Sequence, residues 1–189
     1  MADDDIGRMH FTRMDEGSPD DFAVLARVHE QNIAKLPDLL IGLLSDLSAD
    51  EAYPVDRLTH SLQSATRALR DGRDEEYVVC ALLHDIGESL GPFNHGEVIA
   101  AILEPFVSEA NHWMLQHHPV FQVYFYGTKI GADPNARDQY RDSPHFERTA
   151  EFCARYDEVS FDPDYDNEPM STFEPMVRRV LHKDWTPPS

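Results

Sequence analysis

Apolar residues recur at helical spacing along most of the chain, and one stretch is apolar on every side. Positions 77–83, which read Tyr-Val-Val-Cys-Ala-Leu-Leu, contain no charged residue. A helix that is hydrophobic all round lies in the interior of a protein rather than on its surface. The pattern therefore predicts a buried central helix over about 74–87, and this helix carries an imidazole next to a carboxylate, His84 and Asp85, near its end.

Amphipathic segments on both sides of the central helix predict the rest of the fold. Their apolar positions recur at the three- and four-residue spacing of helices that pack one face on a core. Before the central helix, the pattern predicts a helix over 20–47, with a break or a second helix at Pro37, and a helix over 56–70 that Gly72 closes. After it, one helix begins at His95, with Asn94 and Glu97 as a capping box, and another begins at Pro105, breaks at Pro119 and continues over 120–130. The last two predicted helices are 145–161 and 171–181. This order predicts an all-α protein, a single helical bundle over 20–183 between a mobile acidic arm, 1–19, and a frayed tail, 184–189.

Composition narrows the classes of ligand. With 16 Lys and Arg against 35 Asp and Glu, the formal net charge is −19. This charge argues against nucleic acids and anionic membrane surfaces as partners, because both bind concentrated positive charge, and it leaves a small molecule as the expected ligand. The start of the chain lacks the basic and apolar segments of a signal peptide, and no apolar run approaches the roughly 20 residues of a membrane span, so we expect a cytoplasmic protein.

The His84-Asp85 pair admits two interpretations. An ordinary helix end would place His84 near the last carbonyl groups and Gly87 in a left-handed cap. Alternatively, the pair binds a metal, because an ionised carboxylate in an apolar interior must be neutralised, paired with a cation or coordinated. Asp157 raises the same question, since it continues the apolar stripe of the predicted helix 145–161.

Histidines elsewhere in the chain favour the metal interpretation. The chain has ten, and four of them, His60, His95, His117 and His118, lie near predicted helix ends or on helices that flank the central one. His60 shares a largely uncharged polar face with Gln63, which suits the wall of a polar pocket better than a solvated surface. Spacing does not separate His117 from His118, so both are candidate ligands. Imidazole with carboxylate suits Fe or Mn, whereas an all-oxygen set would favour Mg or Ca.

The order of these residues, H…HD…H…H…D, resembles the HD-domain superfamily of all-helical metal enzymes. Four segments are most similar to its di-iron oxygenase branch, which includes the phosphonate-cleaving oxygenases and, more distantly, myo-inositol oxygenase. They are 60–63, 81–87, 94–97 and 154–158, which read His-Ser-Leu-Gln, Ala-Leu-Leu-His-Asp-Ile-Gly, Asn-His-Gly-Glu and Ala-Arg-Tyr-Asp-Glu. The resemblance covers roughly 53–161.

This resemblance implies a pair of iron ions and O2, used to oxidise or cleave a small hydroxylated substrate. It also implies which residues hold each ion. One ion would be held by His60, His84, Asp85 and Asp157, and the other by Asp85, His95 and either His117 or His118. Asp85 is therefore the expected bridge and the central catalytic residue.

Further site residues follow from the same resemblance. Tyr53 and Asp56 are the nearest matches to a Tyr and a Glu that gate the iron in the oxygenases, so they are candidate catalytic residues, although they lie closer to His60 than in that branch. The candidates for substrate contacts are Gln63, Arg155, and Arg137 and Arg141 from a polar loop over 131–144. Arg155 is displaced by one position relative to the branch. Glu88 stands where the oxygenases often have a His.

Two other functions fit parts of the pattern. HD-domain phosphohydrolases use Mn or another divalent metal to polarise a phosphoryl group and activate water. Their smaller ligand set, here His60, His84, Asp85 and Asp157, would suffice to hydrolyse a nucleotide or a small phosphate ester. The additional histidines favour the oxygenase, although some HD phosphodiesterases also hold two metals. A binding module without activity would be expected to lack ligands that this sequence contains.

Overall fold

The structure, a computed structural model, describes residues 6–49 and 53–183. Within these residues it contains seven α-helices and no β-strand, which confirms the predicted all-α fold. The helices are α1 (Pro19–Asp46), α2 (Arg57–Arg70), α3 (Glu75–Leu83), α4 (His95–Leu103), α5 (Glu109–Ile130), α6 (Phe146–Phe152) and α7 (Met170–Val180). None of them is long and apolar enough to cross a membrane.

Part of the predicted acidic arm contacts α1. The backbone N–H of His10 donates a hydrogen bond to Asp21 (2.8 Å), and the Arg27 side chain donates one to the carbonyl oxygen of Ile6 (2.9 Å). Ser18 begins α1 with a capping box, in which its side chain accepts from the backbone of Asp21 while the Asp21 side chain accepts from the backbone of Ser18. Residues 1–5 of the predicted arm, and the predicted frayed tail 184–189, lie outside the described residues.

α3 lies at the centre of the bundle, as its uniformly apolar sequence predicts. The Asp74 side chain caps the helix by accepting from the backbone N–H of Tyr77 (2.8 Å). The seven residues 77–83 then have no solvent-exposed surface. They contact α2, α5 and α7. Burial of each Val or Leu side chain contributes roughly 1.5–3 kcal/mol, so the apolar sequence of α3 places the helix inside the core.

α3 ends at Leu83, four residues before the predicted end at Gly87. His84 and Asp85 form a turn, and a short 3-10 helix, Ile86–Ser89, follows. Gly87 is required there because a Cβ atom at this position would collide with the carbonyl oxygen of His95. The close approach at Gly87 brings the start of α4 against the end of α3. The glycine therefore serves chain packing, and its φ is not in the left-handed region that a helix cap would need.

Two predicted breaks at proline are wrong, because the helices continue through both residues. Pro37 lies inside α1 and is buried, with Leu40 and Leu44 buried on the core in the following turns. Pro119 lies inside α5. A proline removes one backbone donor and leaves the carbonyl four residues earlier without its helical partner. Tertiary packing outweighs this cost in α1, and in α5 the released carbonyl of Leu115 accepts a side-chain hydrogen bond (2.7 Å) from His118.

Other element boundaries also differ from the prediction. The helix expected from Pro105 begins at Glu109, where the Ser108 side chain accepts from the backbone of Asn111 (3.4 Å). α4 begins at His95 as predicted, but Asn94 makes no side-chain capping bond, so the predicted capping box is absent. The helix expected over 145–161 is α6 followed by a π-helical turn, Cys153–Asp157.

Candidate metal centre

Four imidazoles and two carboxylates from five elements meet below the mouth of one cavity. α2 contributes His60, the turn after α3 contributes His84 and Asp85, the first position of α4 contributes His95, the middle of α5 contributes His118, and the end of the π-helical turn contributes Asp157. All are buried except His95, whose side chain is 17% exposed. These are six of the residues that the sequence singles out.

The first ligand group, called the inner group below, consists of His60, His84 and Asp157 together with the Oδ2 atom of Asp85. The Nε2 atoms of His60 and His84 are 3.2 Å apart. They lie 3.3 and 3.6 Å from Asp157 Oδ1 and 3.5 and 3.3 Å from Asp85 Oδ2, respectively. Two ring nitrogens and two carboxylate oxygens thus converge on one point in the protein interior.

The second ligand group, called the outer group below, consists of His95 and His118 together with the Oδ1 atom of Asp85. The Nε2 atoms of His95 and His118 are 3.3 Å apart. They lie 3.6 and 3.4 Å from Asp85 Oδ1. The two oxygens of Asp85 therefore face different groups, which is the arrangement of a bridging carboxylate.

Three of the four imidazoles have their Nδ1 atom fixed by a backbone carbonyl. His60 Nδ1 lies 3.0 Å from the Ser160 oxygen, His84 Nδ1 lies 2.9 Å from the Ala81 oxygen, and His118 Nδ1 lies 2.7 Å from the Leu115 oxygen. A carbonyl oxygen can only accept, so each Nδ1 carries a proton and donates it. The early end of α3 and the proline in α5 supply two of these carbonyls. Such a bond on the far nitrogen is the usual support of a metal-binding His.

The ligand atoms fit divalent metal ions. When Nδ1 carries the proton, a neutral imidazole has a lone pair on Nε2. In each group these lone pairs face one another and the carboxylate oxygens. Such groups repel one another unless a cation lies between them. Asp157 Oδ2 is buried and has no hydrogen-bond partner among the described residues. An ion about 2.0–2.2 Å from each ligand spaces neighbouring ligand atoms about 3.0–3.5 Å apart, close to the distances observed here.

Electrostatic effects on ionisation differ between the two groups. Burial alone would lower the pKa of His84, but Asp85 and Asp157 outweigh burial and raise it well above the usual value. Burial alone would raise the pKa of Asp85 and of Asp157, but the imidazoles, His84 foremost, hold both well below the usual range. In the outer group, burial and the neighbouring His118 lower the pKa of His95 to about 4.

A buried arginine and a glutamate adjoin the two groups, and the sequence interpretation did not assign either of them to the site. Arg57 donates to Asp85 Oδ2 (2.8 Å) and forms a short ion pair with Glu88. Glu88 Oε1 in turn lies 3.8 Å from His95 Nδ1. One signal was available, because Arg57 precedes His60 by three residues and therefore lies on the same face of α2.

The cavity above the ligands has a volume of about 510 Å³, which lies within the usual range for a small-molecule site. Four aromatic side chains line it. The aromatic residues are Tyr53, Phe125, Tyr126 and Phe161. Phe161 stacks on His60 with ring centroids 4.4 Å apart, and Tyr53 stacks on Phe161 at 5.8 Å. Arg57, Gln122 and Lys129 supply polar wall atoms.

Several residues that the sequence suggested for substrate contact or catalysis lie elsewhere. Gln63 binds the backbone of Asp162 through its side-chain amide, and Asp56 caps α2 by accepting from Thr59 (2.8 Å). His117 makes no contact with the ligand groups. It stacks on Trp113 with ring centroids 3.9 Å apart and donates to the Trp113 carbonyl (2.9 Å).

The three predicted substrate-binding arginines do not line the cavity. Arg155 is paired with Asp71 (2.7 Å) on the exterior, and Arg141 is paired with Asp138. Arg137 lies over the ring of Tyr124 at 3.5 Å. Arginine stacks on aromatic rings and pairs with carboxylates at a protein surface without any ligand, so sequence position alone did not distinguish these roles.

Comparison with known proteins identifies the family. The HD domain model matches residues 57–157, more than half of the chain, from Arg57 to Asp157. The chain is also similar to [1-hydroxy-2-(trimethylamino)ethyl]phosphonate dioxygenase (glycine-betaine-forming) from Leisingera caerulea, with 28% identity over an alignment of 177 residues. The match covers 76% of this chain and 89% of the relative. The expected resemblance to HD-domain oxygenases is thereby confirmed. The chain belongs to the HD domain family and is a metal-dependent enzyme similar to the oxygenases of that family.

Proposed function

We propose that this protein is a dinuclear iron oxygenase that uses O2 to oxidise or cleave a small hydroxylated substrate. The observation that carries the proposal is the outer group. The smaller ligand set of the simple phosphohydrolases of this family corresponds to the inner group alone, whereas His95 and His118 supply two further imidazoles on the other oxygen of Asp85. Mixed imidazole and carboxylate ligands suit iron. When bound, an iron pair would supply the O2 activation and the redox step.

The residues of the protein hold the metal ligands in fixed orientations. Backbone carbonyls fix the rings of His60, His84 and His118, so the ligand atoms keep their places without help from solvent. Phe152 lies edge-on to His84 at 5.4 Å, and Phe161 covers His60. These aromatic side chains pack against the two inner rings, while His60 and Asp157 of the inner group line the cavity together with His95 and His118 of the outer group.

The cavity wall supports a small, hydroxylated substrate with both an apolar and a charged part. The relative named above acts on a molecule with a phosphonate and a trimethylamino group. In the present cavity the rings of Tyr53, Phe125 and Tyr126 offer surfaces for an alkyl or ammonium group. Both terminal nitrogens of Arg57 are bound to carboxylates, so Lys129 is the side chain that we expect to meet an anionic group.

One observation favours hydrolysis as a second candidate. The inner group by itself brings two imidazole nitrogens and two carboxylate oxygens around one point, which is the smaller ligand set expected for HD-domain phosphohydrolases. In this alternative, Mn or another divalent metal on the inner group would activate water for the cleavage of a nucleotide or small phosphate ester.

The two candidates differ in their need for oxygen. We expect the iron-loaded, half-reduced protein to show an electron paramagnetic resonance signal from a coupled iron pair, and we expect turnover of a panel of hydroxylated phosphonates to consume O2. The matched control is the protein loaded with Mn and tested on a nucleotide panel without oxygen. Phosphate release by the Mn protein under anaerobic conditions, with no O2 uptake by the iron protein, would replace the oxygenase with the hydrolase.

A further inference from the structure

His95 differs from the other three imidazoles in what faces its Nδ1 atom. The other three rings are fixed by backbone carbonyl oxygens at 2.7–3.0 Å. His95 is the first residue of α4, and its Nδ1 atom faces the side chain of Glu88, with 3.8 Å between Nδ1 and Oε1. The group that faces this Nδ1 atom is therefore a side chain that can rotate rather than a fixed backbone carbonyl.

Glu88 is itself held by Arg57. The guanidinium forms the ion pair with Glu88 through one terminal nitrogen and donates to Asp85 Oδ2 through the other. Arg57 is buried, with 9% of its surface exposed. The Glu88 side chain is 32% exposed, so it retains room to move towards the imidazole. A shift of about 0.6–1.1 Å brings Oε1 within hydrogen-bond range of Nδ1.

We propose that Glu88, held by Arg57, is the positioning residue for the second metal ion. Its carboxylate accepts the Nδ1 proton of His95, which leaves the Nε2 lone pair directed towards His118 and Asp85. This inference rests on the two-ion centre of the proposed function, but it does not depend on the reaction that the ions catalyse. It assigns a role to the residue that stands where the similar oxygenases often have a His.

The test measures binding of Mn²⁺ alone, by counting free Mn²⁺ with electron paramagnetic resonance during titration of the full-length metal-free protein. Wild type is expected to bind two ions per chain. Glu88→Ala should weaken the second ion about 10–100-fold, the usual effect of removing a partner of a ligating His, and leave the first ion unchanged. Glu88→Gln keeps an acceptor oxygen, so it should restore second-ion affinity to within about threefold of wild type.

Control variants separate this role from a merely structural one. Glu97→Ala removes an exposed acid from the first turn of α4, close to His95, and should leave both affinities unchanged. His95→Ala should weaken the same ion as Glu88→Ala, and the double variant should be no weaker than His95→Ala alone. Thermal melts of the metal-free variants check that each protein is folded.

Three outcomes overturn the inference. Equal Mn²⁺ affinities in wild type and Glu88→Ala would show that Glu88 does not position His95. An equal loss in Glu88→Gln and Glu88→Ala would show that the carboxylate acts as a direct ligand or through its charge. Binding of a single ion by wild type would remove the two-ion centre and the proposed function with it, which distinguishes that failure from the first two.

Discussion

The inner and outer groups share Asp85, but the protein builds them differently. The inner group lies under α2, α3 and the π-helical turn, where His60, His84 and Asp157 are at most 2% exposed. The outer group lies beside the cavity, where His95 is partly exposed and its Nδ1 atom faces the side chain of Glu88. A buried ligand set with fixed rings loses little entropy when it binds an ion, so we expect the inner ion to bind more tightly. An ion bound by the outer group would lie beside the cavity, next to the partly exposed His95.

The largest expected effect comes from removing the shared residue. Asp85→Ala takes one oxygen from each group, so we expect both ions and all activity to be lost together. Metal analysis of the purified variant measures this loss. Asp56→Ala is the control, because it removes a helix cap, costs about 1 kcal/mol of stability and should leave the metal content unchanged. Wild-type metal content in Asp85→Ala would contradict the assignment of both groups.

A substitution at Gly96 should separate the groups. A Cβ atom there would lie 2.9 Å from the Gln116 carbonyl oxygen and 3.0 Å from that of Leu115, where α4 packs closely on α5. We expect Gly96→Ala to push α4 away, to cost roughly 1–3 kcal/mol of stability and to weaken the outer ion selectively. Mn²⁺ titration together with thermal melts would measure both effects. Equal weakening of the two ions would mean that the groups are not independently built.

The pH dependence of metal binding should differ between the groups. The raised pKa of His84 favours an additional proton on this ring in the metal-free protein, and an ion must displace that proton to bind. Inner affinity should therefore fall as pH falls, by about tenfold per unit while His84 remains protonated.

His95 provides the contrast in the same titration. Its pKa of about 4 means that the ring is already neutral over about pH 6 to 8, so the outer ion should lose no affinity through His95 in this range. Mn²⁺ titrations at pH 6, 7 and 8 measure both ions at once. A steeper pH dependence for the more weakly bound ion would reverse the comparison.

The smallest expected effect is at Arg155, which lies outside both groups. Its side chain pairs with Asp71 and Glu151 at the surface, and such pairs contribute little. We expect Arg155→Ala to change neither the metal content nor the KM for any substrate. Lys129→Ala is the matched comparison, because it removes a cation that lines the cavity. A raised KM in Arg155→Ala alone would restore the role that the sequence suggested for this arginine.

The fold was largely predictable because apolar residues recur at helical spacing wherever one face of a helix is buried. A helix without a polar face, such as 77–83, is stable only when it is buried in the core. The prolines misled the prediction because a local rule for Pro37 and Pro119 cannot include packing against distant helices. The end of α3 was also misplaced, since the turn at His84 depends on its tertiary contacts.

The site was predictable in its residues but only partly in their arrangement. Spacing could not choose between His117 and His118, which are neighbours in sequence but point to different sides of α5. The structure places His118 beside Asp85 and His117 against Trp113. Arg57 and Glu88 were missed because charged residues are usually exposed to solvent. The sequence does not show which element packs against them and buries them.

The backbone carbonyls behind His60, His84 and His118 have a consequence for how the enzyme can evolve. Apart from Pro119, which frees the Leu115 carbonyl, the side chains around these rings can change while the main chain still presents the same acceptors. His95 alone depends on the identity of a neighbouring side chain. Substitutions at Glu88 and Arg57 therefore offer the shortest mutational route to altered reactivity, and a library restricted to these two positions is a rational starting point for directed evolution.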